Sequence, residues 1–395
     1  MVAHADVPVE QSGVVEQSGV VEQSGVVEQP GVVAHSGVEK VLLAAPRGFC
    51  AGVDMAIKAL AWMVRAFPAP VYCYHEIVHN RLVVDRFKEL GVIFVDDVAE
   101  VPEGAPLMLS AHGSAPEVVK AARARGGVVV DAVCPLVTKV HHEVKTRADS
   151  GYTVVYVGHE GHDEAIGTMA VAPDSVRLVE TEADIDALDD PGTDIALLAQ
   201  TTLSHDEWSG VRDKLLEKFP NTWMPGRSDL CFATTNRQAA LKEIAKRADT
   251  VLVIGSENSS NTMALVRVVS SDGREVIRVN GAEEVPEGLA GVVAVTAGAS
   301  APEEVVRAVI DRLAPRLGVE EVSVTDEDEY FPLPPELRDL VRGLTSAFSV
   351  ASFAAPDPKA ALAQDRKVTA GDVLVNLTAP APRRTAPAGG PSAPS

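Results

Sequence analysis

Cysteine is scarce in this chain, four residues in 395, too few and too scattered for a disulfide framework. Basic residues are outnumbered, with 35 Lys and Arg against 56 Asp and Glu and a net charge of −21. Such a balance excludes the electropositive face that nucleic acid or an anionic membrane selects. No apolar run approaches the ~18 residues that span a bilayer. No Lys or Arg precedes Lys40, so the N-terminus lacks the positive start of a secretory signal. There is no P-loop and no glycine-rich dinucleotide fingerprint after a strand, which leaves the ordinary nucleotide modes unsupported. The expectation is a cytoplasmic, multi-domain protein, with 46% hydrophobic residues to build its cores.

The two ends differ from the middle. Residues 9–32 repeat VEQSGV three times and then VEQPGV, a unit with little to bury. Residues 1–39 are therefore expected to be a disordered extension. The tail 339–395 is expected to be mostly disordered and ends Pro/Ala/Ser-rich, although AFSVASF and VTAGDVLVNLT within it are compatible with short elements.

Between these ends, Val- and Ile-rich runs alternate with helix-like segments, the pattern of parallel α/β layers. Cys50, Cys134 and Cys231 each stand where a strand or loop gives way to a helix: RGFCAGVDMAI, DAVCPLVTKV and SDLCFATTNRQAA. After each cysteine, at matched distances, come Tyr74-His75-Glu76, Gly158-His159-Glu160 and Gly255-Ser256-Glu257, and then His79, His162 and Ser259. SAHGSAPE (110–117) resembles TAGASAPE (296–303), with QTTLSHDE (200–207) at the corresponding place. Three similar α/β units are inferred, 40–134, 135–230 and 231–338. A pseudo-threefold arrangement would bring their thiols to one point.

Helix N-termini carry positive potential, which favours the metal-binding thiolate. Three thiolates with one position left open suit zinc with a fourth ligand, or an iron–sulfur cluster with one iron lacking a protein thiolate. No CxxC spacing supports a zinc ribbon. Cys73 has no counterpart in the other units and reads as a buried core thiol. The remaining landmarks are His79, His112, His162, Glu164, Thr201, Ser259, Ser260, Asn261 and Ser300, in loops that follow strands. Judged singly, each is more simply a cap or a surface residue; their repetition is what gives them weight. Hydroxyls, imidazoles and an amide can surround a phosphate without Lys or Arg, with helix N-termini as the positive element. Glu164, the single carboxylate of the set, is a candidate proton carrier.

His75-Glu76-Ile77-Val78-His79 fits HExxH, the zinc-protease signature, which needs a continuous helix. Here it begins directly after the strand-like VYCY, which argues against a zinc hydrolase.

The strings APRGFCAGVDMAI, HEIVHNR, SAHGS, DAVCPLVTKVH, GHEGHDEAIGTM, QTTLS, CFATTNRQ, GSENSSN and VTAGASAP closely resemble the LytB family of 4-hydroxy-3-methylbut-2-enyl diphosphate reductases over about 40 to 338. The resemblance implies three α/β domains around a central iron–sulfur cluster. Its ligands would be Cys50, Cys134 and Cys231, and it would be of 4Fe-4S type with an open apical iron, or 3Fe-4S as isolated. By the same resemblance His79, His112, Ser259, Ser260, Asn261 and Ser300 would contact the diphosphate, with His162 completing the pocket. Glu164 would be the proton donor, and Thr201 would lie near the substrate alcohol. The implied reaction removes the allylic hydroxyl and yields isopentenyl and dimethylallyl diphosphate, the last step of the methylerythritol phosphate route. The electron donor would be a ferredoxin or flavodoxin; no nucleic acid or membrane partner is implied. The rival of another class is a non-catalytic redox sensor, disfavoured because the substrate-contact positions are intact.

Overall fold

The computed structural model describes residues 37–125, 127–271, 273–352 and 365–377. The expected disordered extension lies outside these residues except at its last three positions, and so does the end of the tail beyond 377.

Every strand pairing in the three sheets is parallel. The first sheet runs β3 (Val92–Val95), β2 (Val71–Tyr74), β4 (Leu107–Leu109), β5 (Val129–Asp131). The second runs β7 (Val176–Val179), β6 (Thr153–Val157), β8 (Ile195–Ala199). The third runs β10 (Val276–Val279), β9 (Thr250–Ile254), β11 (Ala290–Ala297), β1 (Gly37–Ala45), β12 (Val319–Ser323). β8 and β9 are buried at every position, as expected of aliphatic strands covered on both faces.

The sheets are equivalent, but their boundaries differ from the linear division in the sequence. The sequence division places β1 largely in the first unit, 40–134; it lies instead in the third sheet, paired from Gly37↔Ala290 to Leu43↔Val295 with one register shift between Val38 and Lys40. The reason is topological. In each sheet the segment leading to the cysteine pairs beside the strand before it: β5 beside β4, β1 beside β11, and in the second sheet a lone parallel bridge, Ala196↔Trp223, beside β8. The N-terminal strand thus completes a sheet begun by the C-terminal part of the chain.

The segment that follows the third sheet is structured over its described residues, where mostly disorder was expected. Helix α11 (Pro335–Ser352) buries Leu337 and Val341. A short helix, α12 (Ala370–Asn376), begins with a capping box between Thr369 and Asp372 and packs on α1 (Ala51–Ala66). Leu333, Leu337, Ala370 and Leu377 join the core of the first sheet with Leu60, Met63 and Phe87. Lys58 of α1, 2% exposed, fixes the segment: its Nζ donates to the carbonyls of Asp365 (2.8 Å) and Val368 (3.1 Å) and pairs with Asp54 and Asp365. A buried ammonium is tolerable only with such partners. Cys73 is fully buried in the same core, matching its reading as a packing residue.

Candidate functional site

The three remaining cysteines occupy equivalent places. Cys50 is the N-cap of α1, Cys134 of α4 (Pro135–Asp149) and Cys231 of α8 (Phe232–Ala245). None of the three is in a disulfide. Each backbone N–H donates to a carbonyl in the loop after a strand: Cys50 to Ala299 (3.2 Å) after β11, Cys134 to Ala111 (3.0 Å) after β4, Cys231 to Thr201 (2.9 Å) after β8. In all three the acceptor lies two residues past the strand's last residue. The same local bond, made three times, sets three cysteines at the mouths of three sheets.

Their side chains line one cavity together with His79, His112, His162, Glu164, Thr201, Ser259, Ser260, Asn261 and Ser300. All twelve residues singled out in the sequence are therefore brought together. Gly52 shows how closely the thiols approach: a Cβ there would stand 2.9 Å from Cys134 Sγ and 3.9 Å from Cys50 Sγ. The thiols of Cys134 and Cys231 are shifted opposite to the direction expected from helix N-termini. Burial, then the proximity of Cys50, pushes Cys231 up to about 12 against the pull of the Thr234 and Ala233 amides. Cys134 is raised further, again by burial first and then by the other two cysteines. The crowding of three thiols in a closed space outweighs the helix ends. A shared cation removes both penalties, so this donor set fits an iron–sulfur cluster.

Arg237, fully buried on α8, ties two of these cysteines together, and the sequence reading missed it. Its guanidinium donates to the carbonyls of Gly48 (2.8 Å) and Phe49 (3.2 Å), just before Cys50, and pairs with Glu327 at 3.0 Å. Gly48 adopts φ +65°, a left-handed turn suited to glycine. Part of the acidic run 326–329 thus serves as counter-charge to an internal arginine.

Glu164 is buried in the first turn of α5 (Asp163–Met169), whose N-cap is His162. Its Oε1 accepts from Thr201 N–H at 2.7 Å and its Oε2 from the Thr201 hydroxyl at 2.9 Å. Burial raises its pKa to about 7, against the two Thr201 bonds, with Asp229 adding to the rise. A carboxyl with that pKa can hold or release a proton near neutrality.

The polar wall comes from all three sheets. Ser259 caps α9 (Ser260–Ser270), and Ser300 donates to the carbonyl of His79 at 2.9 Å. Asn261 is spanned by protein partners: its amide donates to Thr234 Oγ1 (3.0 Å) and its Oδ1 accepts from Ala299 N–H (2.9 Å). Gln200, Thr202 and Ser260 form a further bridge at 2.8 to 3.2 Å between the second and third sheets. Gln200 and Thr202 flank Thr201 in QTTLS, a string whose outer members were not weighed. His79 and His112 stack with ring centroids 3.9 Å apart, and His162 meets His79 edge-on at 5.4 Å. Burial, then the His79 charge, lowers His162 to about 4 and holds His112 well below the usual imidazole range. Among the described residues no Lys or Arg lines this cavity, while the N-termini of α1, α4, α8 and α9 open onto it.

The HExxH string is not helical. His75 has φ +56° in a turn, and α2 (Arg81–Glu89) starts only after Asn80. A zinc-protease helix is thereby excluded. No described helix is long and apolar enough to cross a membrane.

Three sheets of parallel strands, with three cysteines lining one cavity that no described Lys or Arg enters, define a class: an α/β scaffold whose donor set fits a metal cluster. The LytB protein family matches residues 41–314. The chain is 50% identical over 309 residues to 4-hydroxy-3-methylbut-2-enyl diphosphate reductase of Rhodopirellula baltica, covering 76% of this chain and 96% of that protein. Its identity to the same enzyme of Leifsonia xyli is 47% over 315 residues, covering 78% and 93%. Among solved structures, E-1-hydroxy-2-methyl-but-2-enyl-4-diphosphate reductase from Plasmodium falciparum superposes with a TM-score of 0.75 at 31% identity, covering 78% of this chain and 99% of that one. A second, (E)-4-hydroxy-3-methyl-but-2-enyl diphosphate reductase, the terminal enzyme of the non-mevalonate pathway, gives 0.52 at 31% identity, covering 70% and 99%. The chain belongs to the LytB family of 4-hydroxy-3-methylbut-2-enyl diphosphate reductases and is an oxidoreductase.

Proposed function

We propose that the protein reduces 4-hydroxy-3-methylbut-2-enyl diphosphate to isopentenyl and dimethylallyl diphosphate, consuming two electrons and two protons and releasing water. The observation that carries this reading is the single cavity in which three cysteines, none in a disulfide, face a buried acid with a pKa of about 7. A non-catalytic sensor is not supported: the named relatives are reductases, and the acid and polar wall are in place.

Cys50, Cys134 and Cys231 would hold the iron–sulfur cluster, in a 4Fe-4S form with three protein ligands. Such a cluster supplies electrons and, at an iron without a protein thiolate, a Lewis-acid position. The diphosphate would be held by His79, His112, Ser259, Ser260 and Ser300. Asn261 would join them, since its amide gives one N–H to Thr234 and accepts from Ala299 at Oδ1, which leaves a second N–H for the anion. Neutral donors and helix ends position the anion without a fixed positive side chain. His162 closes the pocket and, as cap of α5, accepts from the Glu164 amide at 3.1 Å.

Glu164 would deliver protons, to the departing hydroxyl and to the allylic carbon. Thr201 keeps that carboxyl aimed and, through its hydroxyl, can pass a proton to an oxygen beside it. The family role implies an external one-electron donor such as a ferredoxin or flavodoxin. The test is anaerobic turnover of the synthetic substrate with a reduced viologen. The account requires both five-carbon diphosphates as products, and a loss of at least tenfold in Glu164→Gln. A loaded enzyme that leaves the substrate unchanged contradicts it.

A further inference from the structure

One carboxylate beside this pocket has no part in the chemistry above. Asp163, the first residue of α5, lies next to His162 and is largely buried. Its Oδ1 accepts from His75 Nδ1 at 2.9 Å. Its Oδ2 stands 3.8 Å from His79 Nε2 and 3.7 Å from His112 Nδ1. The other nitrogen of His79 already faces Glu76 at 3.3 Å, while His112 Nδ1 is buried without a hydrogen-bond partner. The ring nitrogens of two proposed diphosphate ligands therefore look at a single carboxylate oxygen, at ion-pair rather than hydrogen-bond distance.

We propose that Asp163 is a resident surrogate for the diphosphate: its carboxylate faces the His79 and His112 nitrogens in the substrate-free pocket, and the incoming anion takes its place there. This rests on the diphosphate reading of that pocket. Asp163 would set a threshold for anion binding, because a monoanion brings no more charge than the carboxylate it replaces, whereas a diphosphate does.

Three features support exchange over alternatives. First, Asp163 keeps a partner when displaced, because His75 holds it by the shorter bond. His75 reaches it from a left-handed turn at φ +56°, a conformation costly for a non-glycine residue and found where function demands it. Second, a cation bound by His79, His112 and Asp163 would need the stack to open: rings only 12° from parallel cannot both aim an in-plane lone pair at one ion. Third, Asp163 lines a second cavity that shares His79, His162 and Ser260 with the first, so the two adjoin at these residues.

Burial pushes the Asp163 carboxyl up, but the His75 hydrogen bond and the His112, His75 and His79 charges hold it at about 2. It is anionic throughout the working range. The other ionisable groups facing this cluster are His162, Tyr74, Glu76 and, beside His75, Asp96.

The experiment is equilibrium binding of inorganic pyrophosphate and orthophosphate to anaerobic holoenzyme, in wild type, Asp163→Asn, Asp163→Ser and Asp163→Glu. The neutral variants should bind pyrophosphate about tenfold tighter, from loss of one facing charge, and should gain by a similar factor for orthophosphate. Asp163→Glu should stay within about twofold of wild type. In turnover, KM should fall without a rise in kcat. A merely structural Asp163 would give weaker binding in the neutral variants, and a folded neutral variant that binds pyrophosphate no tighter than wild type overturns the inference. Wild type that binds no pyrophosphate is a different failure, which removes the diphosphate reading and this inference with it.

Discussion

Thr201 holds the Glu164 carboxyl at both oxygens, by its amide at 2.7 Å and its hydroxyl at 2.9 Å, and gives its own carbonyl to the Cys231 amide at 2.9 Å. One residue therefore fixes the distance between the proposed proton source and one proposed cluster ligand.

The pH dependence follows from the sign of the Glu164 shift. Its folded pKa, about 7, lies above the ordinary carboxylate value, so the folded protein binds the proton more tightly than the unfolded chain does. Stability from this group is present at acid pH and is lost as pH rises from the ordinary value through about 7. Glu164→Gln should thus raise the melting temperature more at pH ~8 than at pH ~5, measured on wild type and variant in parallel. Turnover in the wild type should fall as pH rises past ~7, with the acid form depleted.

Thr201→Val removes the hydroxyl bond and keeps the amide bond. Both bonds lower the Glu164 pKa, so their partial loss should move the alkaline limb of the pH–rate profile to higher pH. Turnover should drop by roughly 10- to 100-fold while iron content stays normal. An unmoved limb would mean that the hydroxyl does not act through Glu164.

Arg237→Leu leaves Glu327 buried without its cation and frees the carbonyls before Cys50. A loss on the order of 3 kcal/mol is expected from urea unfolding. Iron retention should fall more than in a surface Arg247→Leu control, whose exposed pair with Glu320 is worth little.

Removing residues 365–395 strips Lys58 of two carbonyls and one carboxylate and uncovers the Leu337 side of the first core. The truncated protein should melt several degrees lower, of order 2 kcal/mol or more. Lys58→Met in that background should recover part of the loss, because the uncompensated ammonium is then gone.

Much of the site was legible because it is repeated. Cysteines at three strand-to-helix corners, followed at similar distances by polar loops, mark equivalent places without any structure. The linear division was harder, because strand pairing is not a local property: nothing in GVEKVLLAA says that it adds beside Ala290–Ala297. Arg237 was hidden for a similar reason, since its carbonyl partners precede Cys50 and lie far away in sequence. The upward shift of the Cys134 and Cys231 thiols runs against the sequence expectation because a helix end is a local signal, whereas burial and crowding appear only on folding. Asp163 stood in plain view inside HEGHDE, but only the approach of His75 and His112 from another sheet gives it meaning.

The central claim is that Cys50, Cys134 and Cys231 hold one iron–sulfur cluster beneath the substrate cavity. The most direct measurement is iron, acid-labile sulfide and zinc per chain on anaerobically purified protein, for wild type and the four single Cys→Ser variants. The account predicts comparable iron and sulfide in wild type and Cys73→Ser, and loss of the full cluster in each of the other three. Zinc without sulfide in wild type, or full iron retention in Cys134→Ser, would contradict it.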